Sequence, residues 1–170
     1  MKTGHSQKPE KAEQRLLIRD RDAIRDHIAV LIEQARREIA VFAPRFDSHF
    51  FNTARFAEAL ATFVVRHRHN QARLLVEDAQ QLVQDNGRLI GLSRRLSDFI
   101  HIRQVGEEHT GMRDMFILAD QNGYLHQQDV ERHECLVDFN GRSKAMALAS
   151  RFEEMWVHGV LVPAIRTVGL

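Results

Sequence analysis

From Leu16 onward the chain alternates between short apolar runs and longer stretches with an apolar residue every three or four positions. The first pattern reads as buried strands and the second as amphipathic helices. Leu16-Leu17-Ile18 predicts a first strand, and Asp20 is placed to cap a helix that carries Ile24, Ile28, Leu31, Ile32 and Ala35 as far as about Arg37. Ile39-Ala40-Val41-Phe42-Ala43 before Pro44 is nearly continuous, as a central strand covered on both faces should be. After a loop at 45–49, Asn52 is expected to cap a helix with Phe56, Ala57, Leu60, Phe63 and Val64 on its core face. Strands are predicted at 72–78 and, half exposed, at 99–105, with a helix at 82–96 broken near Asn86-Gly87. Met115–Ala119 reads as a buried strand, and Asn122-Gly123, both tolerant of positive φ, marks a hairpin to Tyr124-Leu125-His126. A strand at 134–139 and a helix carrying Ala145, Leu148, Phe152, Met155 and Trp156 follow, with an irregular tail at 157–170. The expected fold is a single α/β domain over 15–170, a mixed sheet flanked by helices, behind a disordered tail at 1–14.

Composition narrows this picture more than it extends it. In 170 residues, Lys+Arg 24 against Asp+Glu 23 leaves a net charge of +1, so the chain as a whole is not built as a polycation. One cysteine, Cys135, excludes an internal disulfide and a multi-cysteine zinc site. No apolar run approaches the roughly 18 residues that cross a bilayer, and no signal segment follows the basic start. The expectation is a cytoplasmic protein with no membrane partner. Arg outnumbers Lys by 20 to 4, and Arg presents the planar fork that suits phosphate and carboxylate.

The order of elements from Leu16 to Trp156 resembles one half of the phospholipase D superfamily fold, and among its members short domains of proteobacteria. The resemblance is carried by Ala35-Arg36-Arg37-Glu38-Ile39-Ala40-Val41-Phe42-Ala43-Pro44, by Met115-Phe116-Ile117-Leu118-Ala119-Asp120 with its Asn122-Gly123 turn, and by Phe152-Glu153-Glu154-Met155-Trp156. The superfamily signature is His-x-Lys-x4-Asp, in which the His attacks phosphorus and the Lys neutralises phosphoryl oxygens. If Asp120 matches the Asp, Met115 stands at the Lys and Arg113 at the His. An arginine is no nucleophile, because its guanidinium stays protonated. The resemblance thus implies a degenerate member that holds a phosphate-containing ligand without cutting it. It also implies a homodimer, since single-half members pair across their grooves.

Loops leaving the carboxyl ends of strands are where open α/β sheets bind ligands. The candidate phosphate groove comprises Arg45, Asp47, His49, His109, Arg113, Asp120 and His126. A candidate nucleic-acid patch comprises Arg66, His67, Arg68, His69 and Arg73, within a segment whose local charge is +4. RNA or DNA is the first expected partner. Two other readings stand beside it: a protein-interaction subunit with a relict groove, and a phosphodiesterase that uses His109, His126 or His49 as nucleophile. No cofactor is expected. His67 and His69, considered with His49 or His126 for zinc, occupy alternate positions at a helix end and do not share a face.

Overall fold

The structure is a computed structural model and describes residues 15–165. The expected tail at 1–14 and the last five residues lie outside the described residues. Eight strands form one mixed sheet in the order β1-β7-β6-β5-β2-β3-β4-β8. These are β1 (Leu16–Ile18), β2 (Glu38–Ala43), β3 (Gln71–Val76), β4 (Ile100–Gln104), β5 (Met115–Ala119), β6 (Gly123–Gln127), β7 (Cys135–Asp138) and β8 (Val160–Leu161). Strands β2, β3 and β4 run parallel, and every other pairing is antiparallel. The α/β fold with a mixed sheet is as the hydrophobic pattern requires.

Helices α1 (Arg21–Gln34), α2 (Ser48–Phe51), α3 (Ala54–Arg66), α4 (Ala79–Asp85) and α5 (Gly87–Arg95) lie in the segments between the parallel strands or lead into them. Their apolar faces join Ile39, Val41, Ile117 and Leu125 in one core. The opposite face of the sheet, with Phe42, Phe116, Leu118 and Tyr124, is covered by α6 (Arg142–Val157) through Leu148, Phe152, Met155 and Trp156. Burial from both sides explains why β2, β5 and β6 carry scarcely any exposed position. No described helix is long and apolar enough to cross a membrane.

Several boundaries differ from expectation for identifiable reasons. The first helix stops at Gln34 and not near Arg37, because the backbone N–H groups of Arg36, Arg37 and Glu38 donate to the Asp120 carboxylate at 2.8–3.2 Å. The left-handed residue of the β5–β6 hairpin is Asp120, at φ 57°, and not Asn122 or Gly123. Those same three N–H bonds hold Asp120 in a conformation that residues with a side chain seldom adopt. Asp47 starts the one-turn helix α2 inside the expected loop, and Thr53, not Asn52, caps α3 through its bond from Phe56 N. The expected irregular tail forms β8, which pairs antiparallel with β4.

The parallel strands give the sheet two ends. At the amino end Glu38 lies beside Gln71, and Ala72 beside Ile100. The carboxyl end, where the chain leaves β2, lies about 20 Å away at about 3.3 Å per residue.

Candidate functional site

The carboxyl end holds a cleft of 480 Å³ whose lining includes Arg45, Asp47, Phe50, Met115, Gln127 and Glu131. The loop leaving β2 is clamped there by buried amides. Gln81 accepts from Phe46 N at 2.8 Å and donates to Phe46 O at 2.7 Å, and Asn86 donates to the same carbonyl at 3.0 Å. The floor at Met115 is apolar and only 2% exposed. The charged side chains around this cleft are already partnered. Arg45 donates to Asp78 at 3.2 Å, Arg113 to Glu131 at 3.1 Å, and Arg21 Nη2 donates to both Asp47 oxygens at 2.9 and 3.1 Å. His49 Nε2 lies 2.7 Å from Asp22. Arg113 meets the cleft through Glu131, which lines its wall.

The remaining groove candidates lie elsewhere. Met115 pairs with Gln127 across the hairpin, so the neighbouring Phe116–His126 pair faces the other way, toward α6. There His126 is buried, with Nε2 2.8 Å from Asp114, and Arg151 of α6 grips that carboxylate by two bonds of 2.6 Å. The Arg151 guanidinium lies over the rings of Phe42 and Phe116. Burial alone raises the Asp114 carboxyl, but the hydrogen bonds from Arg151 and His126 outweigh it and hold the group well below the usual carboxylate range. His109 follows β4 and lies tilted beside His158, beyond the cleft lining. Asp120 is at the amino end of the sheet, bound to backbone N–H groups, so it cannot share a groove with Arg45. The seven expected groove residues do not converge on one pocket.

The candidate nucleic-acid patch is also at the amino end, opposite the cleft. Arg66, His67, Arg68 and His69 are exposed where α3 runs into β3. His69 N donates to His67 Nδ1 at 3.2 Å, and the two rings lie 5.4 Å apart. Arg73 does not belong with them. It points under α6, lies over Phe152 and Trp156, and is bonded to Glu153, whose carboxyl it holds below its ordinary range. Burial pushes the Cys135 thiol up to about 12, with Glu134 adding to the effect, so it stays protonated and inert near neutral pH.

What the sequence reading missed is how topology enlarges that patch. Each helix preceding a parallel strand must end at the amino end of the sheet, so the basic residues after α1, α3 and α5 meet there. Arg36, Arg37, Arg66, Arg68 and Arg95 are all exposed, and among the described residues none of the five forms an ion pair. Strand β7 also finishes at this end, so α6 adds Arg142 at its start. Glu38, Asp98, Asp120 and Asp138 are carboxylates along these segments, Asp120 being committed to backbone donors, and Glu33 and Glu58 line a cavity beside Arg66.

Comparison with known proteins places the chain. Residues 20–168 match the family described as Domain of unknown function (DUF7931). The chain belongs to that family. No curated protein sequence matches it. Its fold is shared with Nuc from Salmonella typhimurium, a phospholipase D family member, at TM-score 0.62 and 13% identity over 85% of this chain and 95% of that one. It is shared too with phosphatidylserine synthase from Haemophilus influenzae, at TM-score 0.67 and 14% identity over 94% of this chain and 41% of that one. A third relative is TrmBL2, an archaeal chromatin protein with a novel mode of DNA binding, at TM-score 0.63 and 13% identity. That match covers 90% of this chain and 56% of TrmBL2, so the chain spans less than two thirds of either longer relative. At these identities the likeness is one of fold: this DUF7931 chain has a phospholipase D-like architecture.

Proposed function

We propose that this DUF7931 domain is a non-catalytic module that binds nucleic acid through the amino end of its sheet. The observation that carries the reading is the contrast between the two ends. At the carboxyl end Arg21, Arg45 and Arg113 each spend their charge on a carboxylate, whereas at the amino end five exposed arginines have none among the described residues. A polyanion gains most where it meets unneutralised charge, because every phosphate neutralised releases a counterion. Phosphodiester hydrolysis finds no support at the cleft. The positions aligned with the superfamily His and Lys hold Arg113 and an apolar Met115, and a nucleophile is needed before a covalent phosphoryl intermediate can form. Of the alternative histidines, His49 is engaged by Asp22, His126 is buried against Asp114, and His109, whose Nε2 has no hydrogen-bond partner, lies beside His158 beyond the cleft lining. Among the fold relatives, an archaeal chromatin protein binds DNA, which is compatible with the same class of ligand here. The proposal includes the homodimer implied by the superfamily resemblance. With the two clefts facing each other, both amino ends would point outward.

The test is fluorescence anisotropy of labelled single-stranded RNA and DNA and of duplex DNA across a salt series, with probe integrity checked on a gel afterwards. The expected result is binding that weakens steeply with salt and leaves the probe intact, with log affinity falling by about 0.9 per phosphate contacted for each tenfold rise in salt on duplex DNA. Absence of binding at low salt, or cleavage lost in a single His→Ala variant, contradicts the proposal.

A further inference from the structure

The geometry points to a divalent-cation site of the zinc class formed by Glu108, His109 and His158, where the segment leaving β4 meets the end of α6. Nothing in the hydrophobic pattern joins these residues. Glu107–His109 form a 3₁₀ turn after β4, and His158 caps α6 forty-nine positions after His109. They meet because β4 and α6 both finish at the carboxyl end of the fold. One ligand atom from each of the three side chains lies within 4.8 Å of the others, and among the described residues this is the one such grouping of three. Glu108 Oε1 is 4.0 Å from His109 Nε2 and 3.8 Å from His158 Nδ1. Donors about 2.0–2.2 Å from one tetrahedral ion stand roughly 3.3–3.6 Å apart, so Glu108 and His109 are within a small side-chain rotation of that spacing, and the His158 ring must turn to bring Nε2 to the ion.

Three further observations favour a cation over a simple ion pair. His109 Nε2 is buried with no hydrogen-bond partner, although its carboxylate neighbour is near. A buried ring nitrogen left unsatisfied costs stability, and a metal takes up its lone pair. The two imidazoles lie 5.7 Å apart, on either side of the one Glu108 carboxylate. Gly106 completes the cradle: a Cβ there would stand 2.9 Å from His158 O and 3.3 Å from Glu108 Oε1, so only a glycine lets the α6 terminus and the carboxylate draw this close. His158 Nδ1–H donates to the Glu154 carbonyl at 2.9 Å, the outer support that orients metal-binding imidazoles and leaves Nε2 as the nitrogen that can take the cation. Two nitrogens and one carboxylate oxygen are a donor set that suits Zn²⁺ and Co²⁺ better than Ca²⁺ or Mg²⁺. Glu108 and His158 are more than half exposed, which leaves room for water in the remaining position. The bound ion would tie the β4–β5 connection to α6.

The site is tested on the whole chain by titrating Co²⁺ and following its absorption spectrum, and by competing Zn²⁺ against a chromogenic chelator. One equivalent should bind, with affinity lowered at least about tenfold in His109→Ala and in His158→Ala, as expected when a ligand is lost. Glu108→Gln, which keeps the shape of the side chain, should weaken binding as well and guards against misfolding of the alanine variants. His67→Ala/His69→Ala should bind as the unaltered chain does. Failure to bind either metal, or binding that depends on His67 and His69 and survives loss of His109 and His158, would overturn the assignment.

Discussion

Replacing Arg36, Arg37, Arg66 and Arg68 together by glutamine is expected to lower affinity for a short DNA duplex by at least about tenfold near 0.1 M salt. The slope of log affinity against log salt should flatten by about 3.6, because four phosphate contacts carry about 0.9 each. These side chains are exposed and form no ion pair among the described residues, and the one bond of Arg68, to its exposed neighbour His69, is not buried, so their removal breaks no buried contact. Arg66 closes α3, where a positive charge meets the negative end of the helix dipole, a contribution of about 0.3–1 kcal/mol. A thermal melt therefore accompanies the binding measurement. Two further variants separate charge from position. The same four residues changed to lysine should keep the salt slope, since counterion release follows charge and not fork geometry. Arg45→Gln/Arg113→Gln should bind as the unaltered chain does, because both guanidinium groups already face carboxylates. If that double variant loses affinity and the fourfold one does not, the interface lies at the cleft.

Asp114→Asn is expected to destabilise the fold by about 2–3 kcal/mol, because it leaves Arg151 over Phe42 and Phe116 without its counter-charge. The Asp114 side chain is only 13% exposed and that of Arg151 30%, so solvent screens the pair incompletely. For a domain of this size the loss should lower the melting temperature by roughly 5–10 °C. The pH dependence has a definite sign. A carboxyl held below its unfolded value stabilises the fold fully above the unfolded range, near about 4, and loses that contribution as pH falls toward the folded value. The gap in urea midpoint between the two proteins should be constant from pH 7 down to about pH 4 and begin to narrow only below it, with most of the gap still present at pH 3. Asp114→Asn/Arg151→Met should recover part of the loss, since an apolar replacement leaves no uncompensated charge. Equal midpoints for single variant and unaltered chain at pH 7 would show that the pair contributes nothing.

The strands and helices were legible where burial is uniform. The run from Ile39 to Ala43 announces a central strand because both of its faces are covered, and Asp20 acts as the cap its position suggests. Illegible were features that depend on long-range contacts. The end of α1 is set by a carboxylate eighty-four positions away, and β8 is defined only by its pairing with β4. The candidate groove failed for a related reason. Arg45, Asp47 and Arg113 do gather at the carboxyl end, but one step of strand register turns His126 to the opposite face, and Asp120 sits at the far end of β5. Arg66 and Arg68 were visible as a local cluster, whereas their meeting with Arg36, Arg37 and Arg95 follows only once β2, β3 and β4 are known to be parallel.

The most direct measurement is an NMR titration of the isotopically labelled chain with a short unlabelled duplex, resolved residue by residue. Binding at the amino end should shift the backbone amides of Arg36–Glu38, His67–Gln71 and Leu96–Ile100 and leave those of Arg45–His49 and Met112–Met115 in place. Shifts confined to the second set would put the nucleic acid in the cleft and contradict an interface at the amino end.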